Sequence, residues 1–558
     1  MPSWPMDFRT RIHENLQRLA TQPVLGEVRG DVLHTVRGAE LLGMVAQARS
    51  RLRAAGLRPG DRCALLGHNS LRWVAADLAL MAEGIVVVPL YARQAAPELA
   101  AMLRDCTPKL LLCGDAALAS AIAQALPEGP PRMLFEQLFD GPLAPGPHAP
   151  PLPRSPSDPV TIIYTSGTSG EPKGVVLNQA NLNFMLPCTM ARLDQLMGHR
   201  SQPDRVFHYL PCNFAGSWIL LLTSLSRNST LLFSTDLQRL AEEIRLAQPH
   251  YFLNVPALLE RVRRGIEARL AERGGLVQKL FVRARAAWFG ADSNARGLSD
   301  RWWLGLASTL IFPNIRRAFG PNLRALICGS APLAVETQRF FQMLGIPVLQ
   351  VYGLTETTAI CTMDDPRAVE PGYVGPAVPG IEMRLGEGDE ILVRGPNIFP
   401  GYWNRPEETA RVLRDSWFHT GDQGEVNARG NWRILGRVKN ILVLSSGHNV
   451  APEPLEDELL RRLEGAQQVV LVGHGRSYLV ALVTGAVRPE QVEQALAAMN
   501  AALPHYKQIR GFVLVPEPFT IENGLLTANG KLRREAVLAR YAAQVEATYQ
   551  RSSAAGRA

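Results

Sequence analysis

The sequence predicts an α/β protein built on parallel sheet and divided into at least two domains. Three observations carry this. A strand–helix–strand pattern appears twice. The chain has 558 residues, which exceeds one ordinary domain. Hydrophobic residues make up 46% and charged residues 20%, a globular composition that excludes disordered and fibrous classes.

The first unit runs from the short apolar stretch Arg62–Leu66, through Ser70–Ala82 with apolar residues at helical spacing, to the β-branched run Ile85–Leu90. Two apolar strands joined by a helix read as parallel neighbours. The second unit repeats the order, with Leu323–Ile327 as strand, Val335–Leu344 as helix and Val348–Val351 as strand. Its strands end in two motifs, Gly329-Ser330-Ala331-Pro332 and Tyr352-Gly353-Leu354-Thr355-Glu356. Ligands of open parallel sheets bind at the carboxyl ends of the strands. Connecting loops alone would account for the Gly and Pro. An aromatic face, a hydroxyl and a carboxylate on one turn exceed what a connector needs.

Between the units, residues 142–159 hold eight prolines in 18 positions, a linker or an ordered surface excursion. The longest apolar-looking stretch, Trp302 to Pro313, is shorter than the roughly 18–20 residues of a membrane span. Flanked by Arg301, Arg316 and Arg317, it reads either as an interfacial helix or as a core helix with snorkelling arginines. The net charge of +8 suits nucleotides, coenzyme phosphates, acidic partners or a membrane surface, and chooses none of them. Seven cysteines, an odd count without a CxxC pair, predict reduced thiols in a cytoplasmic protein. The first residues show no apolar core of signal-peptide length.

The strongest local signal is Thr161-Ile-Ile-Tyr-Thr-Ser-Gly-Thr-Ser-Gly-Glu-Pro-Lys-Gly174. A β-rich run opens into small hydroxyl residues and glycines, then one lysine. Such a loop bares N–H groups and hydroxyls toward phosphate oxygens, and Lys173 adds a point charge. Pro172 before the lysine and a strand after it set this apart from a Walker A loop, where Gly precedes the Lys and a helix follows.

Thr165–Gly174, Tyr352–Glu356, Thr420-Gly421-Asp422, Gly436-Arg437-Val438-Lys439 and Asn529-Gly530-Lys531 stand in the order and spacing of one family. In these motifs the chain resembles the adenylate-forming superfamily of acyl-CoA synthetases, adenylation domains and luciferases, from Gly60-Asp61-Arg62 to Lys531. It is most similar to long-chain fatty acyl-CoA synthetases, through Asn254–Val262, Leu310–Arg316 and Gly447–Glu456.

The resemblance implies ATP-dependent activation of a fatty acid, long or medium in chain, to an acyl adenylate and then to its coenzyme A thioester. It implies Thr165, Ser166, Gly167, Thr168, Ser169, Gly170 and Lys173 on the β- and γ-phosphates. Glu356 is expected on Mg²⁺ and Thr355 on the α-phosphate. Tyr352 and Gly353, with Ser330, Ala331 and Pro332, are expected around adenine, and Asp422 and Arg437 at the ribose. Lys531 is expected to bridge carboxylate and α-phosphate. It also implies a large α/β domain over residues 1–438 and a small mobile α+β domain over 439–558, hinged at Lys439. After rotation, Gly447, His448 and Asn449 would line a tunnel for pantetheine.

Three positions depart from the family pattern. Phe214 stands where long-chain synthetases carry a His near the acyl pocket. Ala215 stands where amino-acid-activating relatives carry an Asp, so with Gly216 it suits an uncharged acyl tail. Asn440 replaces an acidic residue beside the hinge. The expected partners are fatty acid, ATP and coenzyme A, or a carrier protein's pantetheine as acceptor. Peripheral membrane contact is a further expectation, nucleic acid is not, and the motifs say nothing about oligomeric state. A non-catalytic nucleotide- or lipid-binding protein is the rival class, and retention of Lys531, Glu356 and Lys173 together speaks against it.

Overall fold

Ser70 accepts a hydrogen bond from the amide of Trp73 and so caps the helix Leu71–Ala82. That helix connects the strands Arg62–Gly67 and Val86–Tyr91, which pair in parallel from Arg62 opposite Val86 to Gly67 opposite Tyr91. Both strands bury every second and every intervening residue, as expected of a sheet covered on two faces. The computed structural model describes residues 7–142, 148–166, 172–198, 200, 202–290, 296–526 and 532–555.

These two strands belong to a seven-stranded sheet. Its order is Gly401–Tyr402, Pro172–Asn178, Pro159–Ser166, Val86–Tyr91, Arg62–Gly67, Leu110–Cys113 and Arg132–Leu134. The strand before the phosphate-loop motif and the strand after it form an antiparallel pair, with Thr165 opposite Lys173.

The second predicted unit lies in an eight-stranded sheet. Ala325–Cys328 and Val348–Tyr352 pair in parallel, joined through the helix Val335–Met343. Tyr251–Asn254 and Asp204–His208 continue the sheet on the other side. A mostly antiparallel sheet over Glu382–Arg437 packs its Ile391, Val393, Phe418 and Trp432 into the same apolar cluster as helices of the first two sheets. All seven cysteines are buried and free.

Residues 442–549 form their own apolar clusters around the sheet Ala466–Val472, Leu479–Gly485 and Ile509–Val515. None of their members belongs to the clusters of residues 8–432. This smaller α+β body follows the large α/β one, as the family resemblance implied.

The described part of the proline-rich stretch is an ordered surface excursion, not a free linker. Arg49 donates to the carbonyls of Ala149 and Pro150, and the Leu152 amide donates to Ala82. The arginine-flanked apolar stretch forms the helices Leu298–Leu310 and Phe312–Arg317. The first of these buries Ala307 and packs the half-buried Trp303, Leu304 and Leu306 on the apolar cluster beneath, while Leu298 and Trp302 are exposed.

Candidate active site

The carboxyl ends of the Ala325–Cys328 and Val348–Tyr352 strands carry the two predicted motifs side by side. Backbone geometry marks both turns. Ser330 has φ 76°, and Thr358 and Ala359 have φ 52° and 78°. Non-glycine residues reach this region at a cost of about 1–3 kcal/mol each, which surrounding structure must offset. Gly353 is required by close approach, since a Cβ there would stand 2.3 Å from the Ala359 carbonyl oxygen. Ser330, Ala331 and Pro332 are exposed on their turn.

Tyr352 donates its phenolic O–H to Asp422 Oδ2 at 2.8 Å. Arg437 Nε meets the other oxygen, Oδ1, at 2.8 Å, and Arg437 also donates to the Thr420 carbonyl. Asp422 and Arg437 face each other across neighbouring antiparallel strands. The Asp422 amide is held by Thr420 Oγ1. Burial, reinforced by the Asp422 charge, raises the Tyr352 phenol well above its ordinary value, so it remains a donor. The expected flat face of Tyr352 is thus anchored at its tip. Both Asp422 oxygens are thus engaged by neighbouring side chains.

A second cluster adjoins the first. Glu356 lies on the short turn Thr355–Thr357 and accepts from Tyr402 through Oε1 at 2.8 Å. Lys173 stands over the Tyr402 ring at 5.5 Å and pairs with Glu408 at 2.9 Å. Tyr402 reaches this place because Gly401–Tyr402 pairs antiparallel with the strand that follows the phosphate loop, opposite Val175. Burial first, then the Glu356 charge, pushes the Tyr402 phenol up, and Arg437 opposes them. The Tyr402 proton therefore stays on oxygen and points at Glu356.

Lys439 sits on the turn Val438–Asn440. Burial and then the Arg437 charge hold its ammonium below the ordinary lysine value; Glu535 acts in the opposite direction and Lys173 adds to the repulsion. Asn440 donates to Glu453 at 2.7 Å, so an uncharged amide donor stands where the family pattern places an acid. From the small domain, Arg533 pairs with Glu98 at 2.6 Å.

The structure therefore gathers Lys173, Tyr352, Thr355, Glu356, Asp422, Arg437 and Lys439 around neighbouring strand ends. Gly167, Thr168, Ser169, Gly170 and Lys531 lie outside the described residues, and of Ser166 only the backbone is described. Gly447, His448 and Asn449 lie apart, on an exposed turn. There His448 stacks on Tyr506 with ring centroids 4.3 Å apart, and nothing lies within 4 Å of a Cβ built at Gly447.

Phe214 caps the buried helix Ala215–Leu225, and its ring leans on Tyr91 at the end of the central strand. Asn69 holds the loop before it, donating to the Leu210 carbonyl and accepting from the Cys212 amide. Trp218 donates to buried Asp77 at 2.8 Å. Ala215 is buried and Gly216 half-buried.

Sequence reasoning missed Tyr402, Glu408, Glu98, Arg533 and Asp77. The aromatic run Phe399-Pro400-Gly401-Tyr402-Trp403 was the one local signal for Tyr402. The others are ordinary residues until distant segments meet.

The resemblance implies Mg²⁺, and the donor set fits it. One Glu356 oxygen is held by Tyr402, which aims the carboxylate. No cluster of three or more His, Cys, Asp or Glu able to hold a metal occurs among the described residues. A hard cation bound by one carboxylate, with phosphate oxygens and water completing its shell, is how Mg²⁺ is held with nucleotides.

Residues 24–403 match the family described as AMP-binding enzyme, and residues 439–553 match the AMP-binding enzyme C-terminal domain. A long-chain-fatty-acid–CoA ligase of Mycobacterium bovis is 29% identical over 91% of this chain and 92% of its own length. Long chain acyl-CoA synthetase 3 of Arabidopsis thaliana is 26% identical over 92% of this chain and 86% of its own. Among solved structures, the A domain of carboxylic acid reductase from Segniliparus rugosus, in complex with AMP and a carboxylic acid, superposes with TM-score 0.76. It shares 22% identity and covers 99% of this chain and 95% of that one. ATP-bound MatB from Rhodopseudomonas palustris gives TM-score 0.72 at 24% identity, covering 95% and 99%.

Proposed function

This chain belongs to the AMP-binding enzyme family, and from that premise we propose that it activates a fatty acid, long or medium in chain, to its coenzyme A thioester. A carboxylate oxygen of the acid attacks the α-phosphorus of ATP. The bond to pyrophosphate breaks and an acyl adenylate forms. The thiolate of coenzyme A then attacks the acyl carbonyl, and AMP leaves.

The observation that carries this reading is the continuous pair of clusters, Tyr352–Asp422–Arg437 beside Glu356–Tyr402–Lys173. Reactions of this type depend on positioning and charge neutralisation more than on acid–base groups. Asp422 and Arg437 orient the ribose. Thr165 to Gly170 and Lys173 receive the β- and γ-phosphates, for which Lys173 exchanges its Glu408 partner. Thr355 contacts the α-phosphate. Glu356 would hold Mg²⁺, which supplies charge neutralisation on the phosphate oxygens when bound. Lys531 stabilises the charge that develops between carboxylate and α-phosphate. Rotation of residues 439–558 about Lys439 would then exchange Lys531 for Gly447, His448 and Asn449, along which pantetheine enters.

The names of the relatives, both ligases or synthetases of long-chain acids, support the substrate class. Phe214, buried Ala215 and Gly216 fit an apolar tail at the mouth of the Ala215–Leu225 helix, because an ammonium group buried there would lack a carboxylate partner. Each methylene buried contributes about 0.8 kcal/mol. Pyrophosphate release with ATP and a series of acids tests this. Efficiency should rise over several added carbons, and amino acids should give none. A maximum at acetate or at an amino acid would overturn the fatty-acid reading. Offering coenzyme A and a carrier protein together decides the acceptor; transfer to the carrier protein alone would overturn the coenzyme A assignment. A substrate that partitions into bilayers also makes peripheral membrane contact part of this reading.

A further inference from the structure

We propose that the helical hairpin formed by Gly275–Phe289 and Leu298–Leu310 docks the protein on an anionic phospholipid surface. The two helices pack against each other. The second turns Ala307 and the half-buried Trp303, Leu304 and Leu306 onto the cluster beneath, yet its outer face carries exposed apolar side chains where a helix of a globular protein is ordinarily polar. Leu298 is 87% exposed and Trp302 60%; on the first helix Leu276 is 85% exposed and Val282 55%. Their spacing places Leu298 and Trp302 on one face of their helix, and Leu276, Lys279 and Arg283 on one face of theirs.

Trp302 is fixed as well as exposed. Its ring stands edge-on to Trp303 at 4.6 Å, and Trp303 packs on the buried cluster beneath. An indole held in solvent by its neighbour suits the headgroup level of a bilayer, where an amphipathic ring is most stable.

Charge selects the occupant. Residues 275–317 contain seven Lys and Arg against two Asp. This stretch therefore carries +5 of the whole chain's +8. Arg285 turns inward to Glu336, and Arg296 lies on Trp288. Lys279, Arg283 and Arg301 are exposed beside the apolar side chains. A second copy of the chain meeting this face by two-fold symmetry would set like charges against each other. An anionic lipid surface matches both the cations and the apolar side chains. Contact is peripheral, since no helix among the described residues is long and apolar enough to cross a membrane.

The inference rests on the fatty-acid reading for its purpose, delivery of a bilayer-dissolved acid, and not for the docking itself. The test is sedimentation of the full chain with vesicles of phosphatidylcholine alone, or with about a third phosphatidylglycerol, without ATP, acid or coenzyme A. The protein should bind the anionic vesicles and leave them in high salt. Each exposed cation removed should weaken partitioning roughly fivefold, so Arg283→Ala with Arg301→Ala should weaken it more than tenfold. Trp302→Ala with Leu298→Ser should also lower it. Both pairs should melt as the wild type does and release pyrophosphate normally with a soluble medium-chain acid. Absence of binding to anionic vesicles, or equal binding by the variants, overturns the proposal. So does a dimer that the same variants dissolve while vesicles go unbound, which would assign the face to a second copy. Vesicle binding without fatty-acid activation would sink the substrate reading and leave the docking intact.

Discussion

Arg533 and Glu98, 435 positions apart, form an ion pair of 2.6 Å. Arg533 lies two residues beyond Lys531, and Glu98 lies in the first turn of the helix Ala96–Cys106. Two positions further on, Glu535 acts on Lys439, which in turn feels Lys173. The segment after Lys531 is thus tied to the large domain near the phosphate-loop strands. On the proposed mechanism, this tie would hold the segment that follows Lys531 against the large domain during the first half-reaction. The pair is partly exposed, so it contributes no more than about 1 kcal/mol. Glu98→Gln should slow pyrophosphate release roughly two- to fivefold and leave conversion of supplied acyl-AMP unchanged. Equal effects on both half-reactions, measured separately by rapid quench, would remove the orienting role.

Lys531→Ala should do more to the same step. Loss of a preorganised charge at a developing anion costs about 10²–10³ in rate. Supplied acyl-AMP and coenzyme A should still give thioester at near wild-type rate.

Tyr402→Phe removes the hydrogen bond that aims Glu356 and keeps the ring under Lys173. Partners that orient a metal ligand typically contribute tenfold or more to metal affinity. The Mg²⁺ concentration for half-maximal pyrophosphate release should rise about tenfold. An unchanged Mg²⁺ titration with a lowered maximal rate would show that Tyr402 acts on something other than the Glu356 carboxylate.

Burial lifts the Asp77 carboxyl to about 7, against the opposing Trp218 hydrogen bond. Its Oδ1 has no hydrogen-bond partner among the described residues. The folded chain therefore holds this proton more tightly than the unfolded one, whose Asp titrates near about 4. The stability so gained is complete below about pH 4 and is lost as pH rises through about 7. Asp77→Asn imitates the protonated form and should escape that loss. Melting temperatures of wild type and variant should diverge as pH is raised across this window, with the variant higher. Parallel curves would show that Asp77 is ionised throughout.

Gly447→Leu tests the second half-reaction. Gly447 has φ 80°, a conformation that a leucine adopts only with strain, on an exposed turn of the small domain. The variant should form acyl-AMP normally and retain it, with thioester formation reduced at least tenfold. Normal thioester synthesis would show that pantetheine passes elsewhere.

The strands on either side of the phosphate-loop motif, both strand–helix–strand units and the clustering of Tyr352, Glu356, Asp422 and Arg437 were legible in the sequence, because each rests on local order. Alternation and helical spacing repeat within a dozen residues, and a loop that bares amides to phosphate needs its glycines and hydroxyls in one run. The Trp302 helix shows where such reading stops: its apolar spacing fitted core and interface equally. Only the packing of its neighbours showed that Trp303, Leu304, Leu306 and Ala307 face the core while Leu298 and Trp302 stay exposed. The same holds for Tyr402 on Glu356, Arg533 on Glu98 and Trp218 on Asp77. Each pair joins segments 46, 435 and 141 positions apart, and nothing in either segment names the other. Which strand lies beside which follows from burying all the apolar faces at once, and that choice belongs to the folded chain as a whole.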